Sequence, residues 1–199
     1  MISAPKGRYG RLRLFMAQLL VAALVLFEAS GFAQEEDGHF EVRSASAGLI
    51  GGVYYLNAQI EYRLSQAAME ALESGVALTI ELQIDVGRVR RFMPDPEVAS
   101  LRQRYQLQYH ALSERFVVRN VNSGEQESFP SVASALAGLG DVRGLPVLDE
   151  ALLDEGRRYR IRMRAGLDVE EFPGPMRLLI FWLDEWQLVS EWYEWLLRP

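Results

Sequence analysis

The stretch VALTIELQIDV, residues 76–86, decides the fold class. Apolar residues occupy every second position of this stretch, and mostly polar residues lie between them. That is the period of a strand with one buried face and one solvent-facing side, whereas a helix would scatter the same apolar residues around its axis. The same alternation recurs over residues 54–64, 101–111 and 159–167. The sequence therefore predicts a mainly β fold of antiparallel strands.

Weaker patterns complete the architecture. Further strands are expected at residues 40–49 and 115–121, after the turn at 122–124, and at 178–183. The glycine-rich residues 48–52 indicate a turn or bulge between two strands, and residues 184–199 are expected to be extended. No linker or repeat divides the chain, and each clear strand has one polar side. We therefore expect a single antiparallel β-sandwich-like domain over residues 40–199, rather than a barrel.

Two or three short helices are inserted between these strands. Ser65 is a suitable N-cap for a helix over 66–73, and Ser131 for one over 132–139, because a serine hydroxyl can accept the first free backbone N–H groups. Each of these helices is followed by a glycine, which favours termination. A third short helix is expected at 150–155.

The N-terminus reads as an export signal. Basic residues precede an apolar run at 14–27, and small residues ending at Ala33 follow it, so residues 1–33 are predicted to be a signal peptide. Residues 34–39 would be a disordered acidic lead-in. The apolar run is shorter than the roughly 18 residues that span a bilayer. We expect a periplasmic protein without stable membrane insertion after cleavage; the alternative is an inner-membrane anchor formed by residues 14–27.

Composition excludes several classes of function. The formal net charge is −6, and the basic residues of the leader make the remainder more acidic still. Phosphate backbones and anionic lipid would repel such a chain, so nucleic-acid binding is disfavoured. There is no cysteine, which excludes disulfides, thiolate catalysis and cysteine-ligated metals. His39 and His110 stand without a ligand pattern or a catalytic pattern, so no metal, cofactor or catalytic residue is expected.

A row of arginines is the most unusual surface feature. Residues Arg158, Arg160, Arg162 and Arg164 alternate with the apolar side of the strand predicted at 159–167, so they share its outer face. Four guanidinium groups in a row could bind a polyanion or a carboxylate-rich partner. The alternative is that carboxylates of neighbouring strands neutralise them, and Glu61, Glu81 and Asp85 are the candidates.

The aromatic C-terminal region is the second candidate surface. Trp186, Trp192 and Trp195 lie within ten residues of one another. Tryptophan is enriched at binding hot spots, which favours a partner site or a sugar-stacking platform. The alternative is that these side chains fill the core or seal a sheet edge.

Several blocks together resemble the bacterial family known as domain of unknown function 4390. They are the stretch YLNAQIEYRLS at 55–65, the stretch ALESGV at 71–76, residues 109–113, residues 136–140 and the Trp186–Trp195 segment. The resemblance covers the whole predicted domain. It implies an exported Gram-negative protein without an established activity, often encoded beside a sensor kinase and its response regulator. It supplies no catalytic residues.

Two functions follow as hypotheses. The first is a non-catalytic envelope module that binds another protein, with a link to a membrane sensor kinase, through the arginine row or the tryptophans. The second is a periplasmic enzyme or carrier acting on a glycan or another envelope ligand. A concave site that combines Trp192 or Trp195 with carboxylates would favour the second.

Overall fold

The computed structural model describes residues 38–169 and 183–198. The described residues all lie within the unit Glu36–Pro199, which contains the core. Within the described residues the strands are β1 (His39–Ile50), β2 (Val53–Arg63), β3 (Leu78–Arg88), β4 (Glu97–His110), β5 (Arg115–Asn120), β6 (Gln126–Phe129), β7 (Asp141–Asp149), β8 (Tyr159–Asp168) and β9 (Tyr193–Leu197). The helices are α1 (Gln66–Glu73) and α2 (Val132–Gly140), with single 3₁₀ turns at Glu150–Leu152 and Asp184–Trp186.

Two antiparallel sheets face each other. In the described part of the chain, the small sheet has the order β1-β2-β7 and the large sheet has the order β6-β5-β4-β3-β8-β9. Strand β1 of the small sheet packs against β8 and β9, while α2 packs on β2 and on the β5–β6 end of the large sheet. The expected mainly β, sandwich-like domain with short inserted helices is confirmed.

The core forms on the inner faces that alternation predicted. On β3 the alternate residues Leu78, Ile80, Leu82, Ile84 and Val86 are all buried. On β8 the buried set is Tyr159, Ile161, Met163, Ala165 and Leu167. Burial of this much aliphatic surface is the main stabilising term of the domain. It also fixes which side of β8 turns outward.

Both predicted helices begin at their predicted caps. The Ser65 hydroxyl accepts a hydrogen bond from the Ala68 N–H at 3.2 Å. Ser131 and Ser134 cap each other reciprocally, each hydroxyl accepting from the other's backbone N–H at 3.2 Å. Helix α2 ends against β2 at Gly140, where a Cβ would come within 2.1 Å of the Ile60 carbonyl oxygen. Only glycine permits so close an approach.

Some elements differ from the prediction. The sequence does not predict strand β7, because Gly144 and Pro146 interrupt the alternation of apolar and polar residues along it. In the structure its pairing with β2 shifts register twice. The helix expected at 150–155 is one 3₁₀ turn, and β1 begins at His39, inside the expected lead-in. The glycine turn is confirmed, with Gly51 and Gly52 both at positive φ between β1 and β2.

The C-terminal region is extended, as expected, after its first turn. Val189 forms an isolated bridge with Gly166, and β9 pairs with β8. The strand predicted at 178–183 lies outside the described residues, apart from its last position. Among the described helices, none has the length and apolar character that a bilayer-spanning segment needs.

Candidate functional site

The outward side of β8 carries the candidate site. Arg160, Arg162 and Arg164 alternate with the buried residues of the same strand, so the core packing itself turns their side chains outward. Trp192 lies over two of them, just before β9. We call these four residues the arginine face.

Arg162 is held by a buried carboxylate. Its Nε and Nη2 atoms lie 3.2 and 3.1 Å from Oδ2 of Asp85, on the neighbouring strand β3. Asp85 is only 5% exposed and also accepts from the Ser100 hydroxyl at 2.8 Å. Gln83 donates to the same carboxylate through its side-chain amide. Asp85 is therefore fully engaged, and it fixes the direction of Arg162.

Arg160 has looser partners. Its Nε lies 3.6 Å from Oδ2 of Asp95, and its Nη1 lies 3.7 Å from Oε2 of Glu194. Both distances exceed the usual range for a charge-assisted hydrogen bond. The side chains of Arg160 and Glu194 are each 44% exposed, so water competes for both groups. These are ion pairs that a better-placed carboxylate could replace.

Arg164 is held by neutral groups. Its Nε donates to Oε1 of Gln83 at 3.1 Å. The guanidinium carbons of Arg162 and Arg164 both lie 4.5 Å from the centre of a Trp192 ring, within cation–π range. Within residues 38–169 and 183–198, Arg164 has no carboxylate at salt-bridge distance. Its charge is positioned but not neutralised there.

Two shallow cavities open on this side of the sheet. One, of about 440 Å³, is lined by Arg160, Arg162, Arg90, Met93 and Pro94 among others. The other, of about 300 Å³, is lined by Arg164, Arg102 and Glu81 among others. Both volumes lie at the lower end of the range of small-molecule pockets.

The structure separates the predicted site residues into two groups. It brings together Arg160, Arg162, Arg164 and Trp192. Arg158 precedes β8 and lies beyond the end of the arginine face. Trp186 is 7% exposed and belongs to the core, and Trp195 lies on the inner side of β9 beside Ile161. The indole Nε1 of Trp195 is buried without a hydrogen-bond partner in the described region.

The prediction of which carboxylates neutralise the arginine row is only partly correct. Asp85 does pair with Arg162. Glu81 instead contacts Arg102 at 3.2 Å. Glu61 was the wrong candidate, because it lies on β2 in the other sheet. Sequence reasoning also missed Asp95 and Glu194, which approach Arg160 from a loop and from β9.

The small sheet carries a second arginine cluster, formed by Arg43, Glu41, Glu61 and Arg63. Arg43 lies 2.8 Å from Glu41 and 2.6 Å from Glu61, while Arg63 contacts the other Glu61 oxygen at 2.9 Å. The hydrogen bond from Arg43 is the main cause that lowers the pKa of Glu61, and it likewise raises the pKa of Arg43. We call this group the paired cluster, since every charge in it has an opposite neighbour.

Neither histidine joins a cluster of ligands. His39 begins β1 and His110 ends β4, both exposed. Among the described residues, no group of three or more histidine, aspartate or glutamate side chains is arranged to hold a metal ion.

Comparison with known proteins gives one match. The model of the DUF4390 domain of unknown function matches residues 37–196. Searches of curated proteins and of solved structures find no match.

Proposed function

The chain belongs to the DUF4390 family of domains of unknown function, and we propose that it is an exported, non-catalytic envelope module that binds another envelope protein through its arginine face. The observation that carries the proposal is Arg164, a guanidinium fixed by Gln83 and Trp192 without a carboxylate partner among the described residues. A partner carboxylate would supply the missing charge.

The arginine face is pre-organised for such a partner. Stacking on Trp192 removes rotamer freedom from both Arg162 and Arg164 before binding. Arginine and tryptophan are also the side chains most enriched at binding hot spots. Arg160 adds a third guanidinium, whose loose pairs with Asp95 and Glu194 can exchange for a partner's carboxylates. The favoured partner segment is acidic and carries an apolar or planar group to cover the indole.

The location of the protein is part of the proposal. The leader at 1–33 supports export to the periplasm with cleavage after Ala33; without cleavage, residues 14–27 would anchor the protein to the inner membrane. Both versions place the domain on the same side of that membrane. A membrane sensor kinase with an acidic periplasmic segment is the partner that the family's gene neighbourhood favours.

The arrangement of carboxylates supports binding over hydrolysis. Asp85, Asp95 and Glu194 each contact an arginine of the face. A glycosidase pair needs two carboxyl groups free to face the scissile bond of a sugar, and each of these three carboxylates is instead engaged by a guanidinium. A glycan-acting enzyme therefore remains the weaker hypothesis.

Site-specific crosslinking in cells tests this function. A photo-crosslinking amino acid at Leu196 would report on the arginine face, because Leu196 is 53% exposed and pairs with Arg160 across the β8–β9 ladder. The control position is Leu112, fully exposed in the turn between β4 and β5. We expect one envelope protein to be crosslinked from position 196 and not from position 112. Trp192→Ala should remove the crosslinked product from position 196. Equal capture from both positions, or capture that survives Trp192→Ala, would reject the proposed face.

A further inference from the structure

The loop between β3 and β4 exposes large apolar side chains. Phe92 is 91% exposed and Met93 is 63% exposed. An isolated surface leucine needs no explanation, but two adjacent large apolar residues at a loop tip are unusual. The loop base is fixed, since the Arg88 N–H donates to the Pro96 carbonyl at 3.0 Å and the Arg90 N–H donates to Asp95 at 2.9 Å. Phe92 therefore stands in solvent at the tip, while Met93 lines the cavity that also contains Arg160 and Arg162.

Exposed arginines surround this tip. Arg90 and Arg91 precede Phe92 directly, and both are exposed. Arg157 and Arg158 lie beside the loop, because the Val89 N–H donates to the Arg158 carbonyl at 2.9 Å. Within the described part of the chain, none of these four arginines has a carboxylate at salt-bridge distance. We call Arg90–Met93 together with Arg157 and Arg158 the basic tip.

Other exposed apolar residues share this end of the domain. The Glu150 N–H donates to the Gly52 carbonyl at 2.8 Å, which joins the β1–β2 turn to the 3₁₀ turn that contains Leu152. Asp154 continues that segment and contacts Arg88 at the end of β3 at 3.0 Å. Ile50, which is 68% exposed, and Leu152, which is 58% exposed, therefore lie at the same end as the basic tip.

We infer that the basic tip is a peripheral contact with an anionic phospholipid surface. Phe92 and Met93 would enter the headgroup region, and the four arginines would lie among the lipid phosphates. The acidic net charge of the chain does not by itself prevent this, because charges more than about 10 Å apart are screened at physiological salt. Of the carboxylates near the basic tip, Asp95 lies beside Arg160 and Asp154 pairs with Arg88. The basic tip adjoins the arginine face, because Arg90 and Met93 line the same cavity as Arg160 and Arg162. The inference does not rest on the proposed function, since binding to vesicles needs no protein partner.

Vesicle binding tests the inference with residues 36–199, the compact unit that contains the whole core. This unit lacks the apolar leader, which would bind vesicles by itself. We expect it to sediment with phosphatidylglycerol vesicles at low salt and not with phosphatidylcholine vesicles. Phe92→Ser should weaken binding by about tenfold or more, the loss expected for one buried phenyl ring. Arg90→Gln with Arg91→Gln should weaken it by about fivefold for each charge removed.

Leu112→Ser is the matched control. Leu112 is equally exposed and apolar, but it lies beyond the opposite end of β4, about 40 Å from the basic tip for a strand of 14 residues. Its variant should bind vesicles like the parent, and circular dichroism should show every variant folded. The inference is overturned if the parent fails to bind phosphatidylglycerol, or if Phe92→Ser and the double arginine variant bind as well as Leu112→Ser.

Discussion

The two arginine clusters of this domain contain similar residues in different states. In the paired cluster, Arg43 contacts two glutamates at 2.6–2.8 Å, and Glu61 accepts from two arginines. On the arginine face, Arg160 has partners at 3.6 and 3.7 Å, and Arg164 is held by an amide and an indole. Both clusters lie on outward sheet surfaces, so exposure does not explain the contrast.

The contrast teaches how a surface charge becomes available for binding. Opposite charges at short range neutralise one another, and such exposed pairs contribute little to the free energy of unfolding. Neutral groups can fix a guanidinium without cancelling its charge. The paired cluster is therefore the internal reference for the arginine face, and variants of one have matched controls in the other.

The largest effect on partner capture is expected when the aromatic side chain at the centre of the arginine face is removed. Trp192→Ala removes the surface on which Arg162 and Arg164 stack, so we expect partner capture from position 196 to fall by about 30-fold or more, the loss typical of a tryptophan hot spot. Quantitative mass spectrometry of the crosslinked product measures this. Arg43→Gln in the paired cluster should leave capture unchanged; equal losses in the two variants would remove the distinction between the clusters.

A smaller effect concerns folding. Asp85→Asn keeps the shape of the buried side chain but removes the charge that Arg162, Ser100 and Gln83 contact. We expect the free energy of unfolding in urea to fall by about 1–3 kcal/mol, as for a buried charge-assisted hydrogen bond. Glu41→Gln is the control, because the Glu41 side chain is 46% exposed, and it should change stability less. A loss at Glu41 as large as at Asp85 would contradict this view of the two clusters.

The smallest effect is a pH dependence of the paired cluster. The pKa of Glu61 is lowered in the folded domain, chiefly by its hydrogen bond with Arg43. The unfolded chain therefore binds this proton more readily, so the stability that the pair contributes is present at neutral pH and is lost as pH falls below the ordinary value of 4.5.

Unfolding of the parent and of Glu61→Gln at pH 7 and pH 3 measures that dependence. The parent should be slightly more stable than the variant at pH 7, and the difference should shrink at pH 3. A difference that grows on acidification would show that the sign of the linkage is wrong.

Much of the fold could be predicted because the core pattern is local. Alternation along residues 76–86 and 159–167 gives strands β3 and β8 and also their buried faces. Strand β7 could not be predicted, because Gly144 and Pro146 interrupt the alternation along it and because its pairing with β2 is visible only in three dimensions.

The site was less predictable because it depends on strand neighbours. That three of the four row arginines share a face followed from their spacing, but the pairing of Asp85 with Arg162 joins residues 77 positions apart. Nothing local distinguishes Glu61, which pairs in the other sheet, from Asp85. The position of Trp192 depends on an irregular segment before β9, whose path has no periodic signal.

Charge reversal in the two clusters tests the central claim most directly. Arg164→Glu and Arg43→Glu make the same change in net charge on opposite sheets, and crosslinking from position 196 compares them in the same cells. If the arginine face is the binding surface, Arg164→Glu abolishes capture and Arg43→Glu preserves it. If both variants capture the same protein equally well, the arginine face is not the binding surface.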